Sequence, residues 1–466
     1  MPLRTFRDAG ERVRCLVVGG GVTGLAAAWE ACRAGAEVTV LEASDRFGGK
    51  VFTERADGFT IEHGPDSFVA YRPAALQLIG ELGLDDQVQA SAGRRTVFLR
   101  AGGRLRPMPQ GMGMVLPTRL GPFLSTRILS WPDKLRAALD LVTPRLLDDS
   151  DVAIGAFLRR RLGGGIVTKL ADPLVGGIYG ASVDELSLDA VLPSLRVNEA
   201  EHRSLILAGL AQGRATAGSG GSSRGPSSPF RTLSGGLGTL VDALVASLRE
   251  AGATLLTDQP VESLDDHDAD AVVLAGGAAS SARLLARRAP AAAQALAGVP
   301  MSSSTVVTLA YPAEAFGTAP THHGWLESEP APVSGITVSS AKWTDRAPAG
   351  VVLLRAFVPA RLGLIAEAPD DELVDAVTAH VGAVMGVDGD PVLTRISRWS
   401  RVMPSYTVGH PGRVAAVEEA LADQPRLRVA GSALHGVGVP DCIADGRRQA
   451  AAALAHPAVA QRPTVV

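Results

Sequence analysis

Hydrophobic positions near the start of the chain fall in short runs punctuated by glycine. Arg14-Cys-Leu-Val-Val-Gly19 is a β-branched stretch of the kind that forms a strand buried on both faces. It runs into Gly19-Gly20-Gly21-Val22-Thr23-Gly24 and then Leu-Ala-Ala-Ala-Trp-Glu-Ala-Cys32, a strong helix former. Glu37-Val-Thr-Val-Leu41 follows as a second strand and ends at Glu42. Strand, turn, helix and strand in this order predict a βαβ unit, hence an α/β fold with a parallel sheet. Two later runs, Asp270-Ala-Val-Val-Leu-Ala275 and Arg428-Val-Ala-Gly431, read as further buried strands. The second leads through His435-Gly-Val-Gly-Val-Pro-Asp-Cys-Ile443 into a helical stretch from Asp445 to Leu454. Between them, Ser304–Ala310 and Val351–Val358 are strand-like, with a helix near Asp371–Val384.

Composition narrows the classes. The 466 residues suit two or three structural units at roughly 100–200 residues each. Apolar residues make up 46% and charged residues 20%, which is globular and not disordered. A net charge of −3 supplies no cationic excess, so nucleic acid is not an expected partner. Cys15, Cys32 and Cys442 form no paired framework, which argues for a reducing compartment and against a disulfide scaffold or a metal site. The longest apolar run, Cys15 to Trp29, is broken by four glycines and falls short of a spanning helix. A cytoplasmic protein is expected; composition leaves room for peripheral membrane contact, which is not expected.

The candidate chemistry sits in the glycine loop. Gly19 permits the tight turn, Gly21 lets the backbone approach a pyrophosphate, and Gly24 lets helix and strand pack closely. The helix N-terminus then offers free N–H groups to phosphate. Glu42, 18 residues beyond Gly24, stands where a ribose 2′-hydroxyl is held, and its charge argues against a 2′-phosphate. A second glycine pair, Gly48-Gly49, is flanked by Arg46 and Lys50. With the glycine-rich stretch near the C-terminus, these make a site built from both chain ends, which suits FAD better than a nicotinamide dinucleotide.

These segments resemble the flavin-containing oxidases that include amine oxidases, phytoene desaturases and protoporphyrinogen oxidases. Gly176-Gly177-Ile-Tyr-Gly-Ala-Ser-Val-Asp-Glu-Leu-Ser187, Glu199-Ala-Glu-His-Arg-Ser-Leu-Ile206, Ser339-Ser-Ala-Lys-Trp343-Thr-Asp-Arg-Ala-Pro348 and Gly436-Val-Gly-Val-Pro-Asp-Cys-Ile443 resemble the porphyrinogen-oxidase branch. Gly64-Pro-Asp-Ser-Phe68 is more similar to bacterial coproporphyrinogen III oxidases than to the mitochondrial enzymes, which carry arginine where Asp66 stands. The resemblance covers about residues 13–455. It implies flavin contacts at Gly19, Gly20, Gly21, Val22, Thr23, Gly24, Glu42, Ala43, Arg46, Gly49 and Lys50. It also implies them at Gly64, Pro65, Asp66, Ser67, Val261, Trp399, Val437, Gly438 and Val439. The sequence departs from the family pattern after Val261: only Glu262 to Ala269 separates it from the next strand, which ends in Gly276-Gly277 where the family has a proline turn.

The resemblance further implies a discontinuous Rossmann-like FAD domain (residues 1–85, 231–300 and 411–466), a mainly helical lobe (86–230) and a mixed-sheet substrate domain (301–410). The lobe is expected to begin with a strand pair, Arg95–Arg100 and Gly103–Arg106, and to contain the capped amphipathic stretch Pro132–Leu141. Residues 212–229, rich in Gly, Ser and Ala, are expected to be a mobile loop. The implied activity is oxidation of coproporphyrinogen III by dioxygen, with hydrogen peroxide released and no catalytic side chain, since the flavin accepts the hydride. Alternatives are protoporphyrinogen IX oxidase, a flavin amine oxidase, and a non-catalytic scaffold that binds tetrapyrrole or a partner. A ferrochelatase is a candidate partner. Arg72 is either a substrate-carboxylate anchor or a solvated arginine. Gly177 either turns its carbonyl to the macrocycle or ends a helix, and Asp66 is either a cavity contact or a turn residue. Arg196, Arg203 and Arg355 are unplaced candidates for a second propionate.

Overall fold

The computed structural model describes residues 12–92, 97–113, 115–218 and 228–455. Five parallel strands form its central sheet in the order Thr254–Leu256, Glu37–Leu41, Arg14–Val18, Ala271–Leu274 and Leu427–Val429. Three widely separated stretches of chain therefore share one sheet. Side chains alternate between its faces. Cys15, Val17, Val38 and Val40 pack under the helices Val22–Arg33, Gly238–Glu250 and Val439–Ala455. Leu16, Val18, Leu41 and Leu274 pack under Ala278–Leu285, Pro290–Ala297 and His410–Ala420 on the other face. Burial on both sides explains why these strands read as unbroken apolar runs.

A seven-stranded mixed sheet stands apart, in the order Leu393–Pro404, Met301–Pro312, Val351–Pro359, Gly335–Val338, Gly324–Glu327, Val97–Ala101 and Arg104–Pro107. The strand pair expected to open the helical lobe joins this sheet instead, because Val97–Ala101 finds a parallel partner in Gly324–Glu327. Residues 95 and 96 lie outside the described residues. The helix Asp370–Met385 lays Leu373, Val377 and Val381 onto the sheet at helical spacing.

The helical lobe includes Trp131–Ala138, whose start is a reciprocal cap. Ser130 Oγ accepts from the Asp133 N–H, and the Asp133 carboxylate accepts from the Ser130 N–H at 2.9 Å. The helix Leu205–Gly218 runs through the first part of the stretch expected to be a loop from residue 212. Its glycines serve packing: a Cβ at Gly209 or Gly213 would lie 2.5 or 2.2 Å from the carbonyl oxygens of Pro117 and Thr118. Residues 219–227 of that loop lie outside the described residues. Inside the lobe, fully buried Arg161 meets Asp140 at 2.7 Å and Glu199 at 3.6 Å. Glu199 accepts from the N–H groups of Leu146 and Leu147, and Asp140 from Ser204 and Ile206. One ionic cluster thus ties the strap 139–147 to three helices.

Candidate active site

The glycine loop closes by backbone contacts that no side chain could enter. Gly19 has φ +108°, and a Cβ there would lie 2.9 Å from the backbone of Ala275 and Gly276. Ala275 and Gly276, where the departure from the family pattern begins, are therefore the surface against which Gly19 turns. A Cβ at Gly24 would sit 1.8 Å from the Gly19 carbonyl oxygen. Gly21 pairs with Gly48 in an isolated parallel bridge, and a Cβ at Gly49 would lie 3.1 Å from the Gly21 Cα. The helix that follows has Gly21 at its N-cap, with no side-chain cap and no acid in its first turn. Its leading N–H groups have no carboxylate or hydroxyl cap of their own.

At the end of the second strand, Glu42 is fixed from both sides. One oxygen accepts from the Gly20 N–H at 2.6 Å, and the other from the N–H and Oγ of Ser44 at 2.9 and 2.7 Å. Ala43 is exposed beside it. The chain at 258–259 crosses here, with the Gln259 N–H donating to the Glu42 carbonyl at 2.9 Å. Val261 is buried two residues later, and its carbonyl accepts from Arg283. Arg46 donates to the Gly49 carbonyl at 2.8 Å and stacks over Phe52, 4.2 Å from its centroid.

Lys50 joins the two ends of the chain. Its Nζ donates to the Val402 carbonyl and to Ser432 Oγ, both at 3.0 Å. Burial lowers the Lys50 pKa. Tyr406 Oη donates to the Ser432 carbonyl at 2.7 Å and accepts from the Gly436 N–H at 2.6 Å. Gly446, in the last helix, approaches so closely that a Cβ would lie 2.2 Å from the Thr23 carbonyl oxygen. The half-buried Val437 and Gly438, and buried Val439 at the start of that helix, are thereby brought beside the opening loop.

Residues 22–454 match the flavin-containing amine oxidoreductase family. The chain belongs to this family. It is an oxidoreductase, and FAD is its cofactor. A coproporphyrinogen III oxidase of Propionibacterium freudenreichii subsp. freudenreichii is 58% identical to it over 93% of this chain and 89% of the relative. The coproporphyrinogen III oxidase of Bacillus subtilis strain 168 is 34% identical over 95% and 98%. A crystal structure from Exiguobacterium sp. 255-15 superposes with a TM-score of 0.81 at 31% identity, covering 94% of this chain and 98% of that one. Among the described residues no helix is long and apolar enough to cross a membrane.

The flavoprotein's residues fit its cofactor. The uncapped helix start and the facing glycines form a cradle for a pyrophosphate, with the cation Arg46 nearby. The Gly64 block is built as tightly: a Cβ at Gly64 would sit 1.8 Å from the Lys50 carbonyl oxygen. The Gly64 carbonyl accepts from Arg355, and the neighbouring His63 carbonyl accepts from the Trp399 indole at 2.7 Å. Pro65 is half-buried between Gly64 and Asp66.

Asp66 is held by cationic and polar side chains. Its oxygens accept from Lys342 Nζ at 2.9 and 3.1 Å, Trp343 Nε1 at 3.1 Å and Ser67 Oγ at 2.7 Å, with Arg355 3.8 Å away. Burial by itself would raise this carboxyl, but Lys342 and Arg355 outweigh it and hold it far below the usual carboxylate range. The carboxylate is engaged by cations of its own chain. Asp66→Asn leaves the buried Arg355 and the half-buried Lys342 without this counter-charge and is expected to cost about 3 kcal/mol at pH 7. Because the folded-state pKa lies below the unfolded value of about 3.9, the contribution is complete above that pH and is lost progressively as the pH falls from there through the folded-state pKa. Urea unfolding should show a gap between wild type and variant that is narrower by about 1 kcal/mol at pH 3.

Arg355 is buried under the Gly64 block and donates to the Gly64 carbonyl. Arg196 binds Asp189 and the carbonyls of Asp148 and Ser150, and the exposed Arg203 donates to the Leu141 carbonyl. Arg72 differs from the buried Arg355. Its side chain is 51% exposed and pairs with Asp441, at the start of the last helix. Tyr179, near Arg72 and Asp441, has its phenol pKa raised by burial, and its ring lies 5.8 Å from that of Tyr406. Gly177 is exposed at the end of the wide helix Val167–Gly176, and Gly180 at φ +63° turns the chain away.

Lys342, Trp343, Tyr406 and Asp441 escaped the sequence reading as site residues. One signal was present: the chain has only four lysines, and two of them, Lys50 and Lys342, sit at the Gly64 block and its neighbours.

Proposed function

We propose that this flavoprotein oxidises coproporphyrinogen III to coproporphyrin III with dioxygen as the acceptor. The 58% identity to a protein of that name, over nearly the whole of both chains, carries the reading. The macrocycle loses six electrons and six protons in three two-electron steps, and three dioxygen molecules become three of hydrogen peroxide. Bound FAD supplies the two-electron acceptor. In this assignment Gly19, Gly20, Gly21, Val22, Thr23, Gly24 and Gly49 hold the pyrophosphate with Arg46, and Glu42 and Ala43 lie at the ribose. Val261 lies toward the adenine. Lys50, Gly64, Pro65, Asp66, Ser67, Trp399, Val437, Gly438 and Val439 shape the ring end of the site.

The protein's own work is positioning. The half-exposed Arg72 binds a substrate carboxylate, which guanidinium can do bidentately. The exposed Gly177 offers an accessible backbone carbonyl toward the macrocycle. No side chain is assigned as acid, base or nucleophile. Three unpaired cysteines fit a cytoplasmic site of action. A ferrochelatase receiving the product completes the proposal.

Aerobic turnover of coproporphyrinogen III beside protoporphyrinogen IX, followed by porphyrin fluorescence, tests the reading. Faster oxidation of coproporphyrinogen III is expected, and faster oxidation of the other would overturn it. A purified protein that stays colourless with added FAD would favour the non-catalytic scaffold. Arg72→Ala should raise KM about tenfold with a smaller change in kcat, since a charged hydrogen bond contributes about 1.5–3 kcal/mol. An unchanged KM would remove Arg72 from the substrate site.

A further inference from the structure

Among the described residues Asp441 is the acidic group bonded to Arg72, and the chain makes room for it in an unusual way. A Cβ at Gly436 would lie 2.8 Å from the Asp441 Cβ, and one at Gly438 would lie 2.8 Å from Asp441 Oδ2. Two glycines of the Gly436-Val-Gly-Val-Pro-Asp441 segment therefore leave the space that the carboxylate fills. Its side chain is 17% exposed against 51% for Arg72. It stands in the first turn of the helix Val439–Ala455, where a negative charge is favoured by the N–H groups of the helix end. The short acid is thus the rigid member of the pair and the long arginine the mobile one. An arginine held at this exposure by nothing else would spread over many rotamers and lose much of its use as an anchor.

We propose that Asp441 is a positioning residue. It grips the Nη1 end of the Arg72 guanidinium, fixes the direction of the fork, and leaves its remaining donors for a carboxylate of the substrate. The proposal rests on the assignment of Arg72 to the porphyrinogen site and gives that assignment a mechanism. It also links the anchor to the Val437–Val439 segment, so the cofactor and substrate sides of the site share one turn. An opposite outcome is physically open: a carboxylate beside the anchor also repels an anionic substrate. Geometry predicts that orientation outweighs repulsion, since the acid already has its counter-charge.

A double-mutant cycle in the FAD-loaded protein decides the matter. Binding is read from fluorescence quenching of coproporphyrin III, a stable tetracarboxylate that needs no turnover, and KM and kcat from oxidation of coproporphyrinogen III. Asp441→Ala is expected to weaken binding and raise KM five- to tenfold. Asp441→Asn, which keeps an acceptor for Nη1, should fall between it and wild type. Neither substitution should matter further in an Arg72→Ala background. Flavin absorbance and the melting temperature of each variant are recorded alongside, to separate anchoring from damage to the turn. Tighter binding by Asp441→Asn than by wild type would overturn the proposal in favour of repulsion. An equal loss in the presence and absence of Arg72 would overturn it in favour of a purely structural acid. Failure of wild type to oxidise either porphyrinogen would instead refute the proposed function, and the binding cycle would still decide the role of Asp441.

Discussion

Gly24→Ala is expected to yield a protein that keeps almost no flavin. The added Cβ would lie 1.8 Å from the Gly19 carbonyl oxygen, well inside contact distance, and the obstacle is backbone rather than a side chain that can swing away. Relief requires the helix Val22–Arg33 to move off the strand Arg14–Val18. That helix is held on its far side by the last helix, where Gly446 already touches the Thr23 carbonyl. Overpacking of this kind costs about 1–3 kcal/mol, and more where neighbours cannot yield. The displaced residues are also the ones whose N–H groups are assigned to the pyrophosphate, so the geometric error falls on binding as well as on stability. Flavin absorbance of the purified variant near background would bear this out, and normal occupancy would refute the close-packing argument. Gly412→Ala supplies the control. Gly412 lies in the helix His410–Ala420 with nothing within 4 Å of an added Cβ, and alanine there should raise stability by about 0.5–1 kcal/mol with flavin content unchanged.

Arg161→Ala should be the most destabilising substitution in the helical lobe. It removes the cation from a site in which Asp140 and Glu199 are both fully buried. Breaking such a cluster costs about 3–5 kcal/mol, because the remaining charges have no route to water. A fall of the melting temperature on the order of 10 °C is expected, at about 2–4 °C per kcal/mol for a unit of this size. Arg161→Lys keeps the charge but not the fork that also reaches the Pro144 carbonyl at 2.8 Å, so it should recover only part of the loss. Flavin occupancy should stay close to wild type, since the cluster lies in the lobe and away from the glycine loop. A variant that melts like wild type would show that the cluster contributes little.

Legibility in the sequence followed the range of the interactions. The Gly19–Gly24 turn, the strand before it and the helix after it are decided by neighbours a few residues apart, and glycine spacing states their geometry directly. The capped start at Ser130 is equally local, since donor and acceptor stand three residues apart. The ion network at Asp66 is the contrary case. Lys342 reaches it from 276 residues away, and Arg355 reaches the Gly64 carbonyl from 291 residues away. Nothing in the local pattern distinguishes Arg355 from Arg72, yet one is 2% exposed and the other 51%.

By itself, the chain's order of residues determined the parallel sheet, the turn that opens the cofactor site and the use of both ends of the polypeptide. These follow from steric freedom at glycine and from side-chain period, which act over a few residues. Tertiary structure alone decided which charges are spent on one another and which remain for a ligand. It set Asp66 against Lys342 and Arg355 and supplied Asp441 as the partner of Arg72, 369 residues along the chain. The reason is physical: the state and purpose of a charge depend on burial and on the nearest opposite charge, and folding sets both only when distant segments meet.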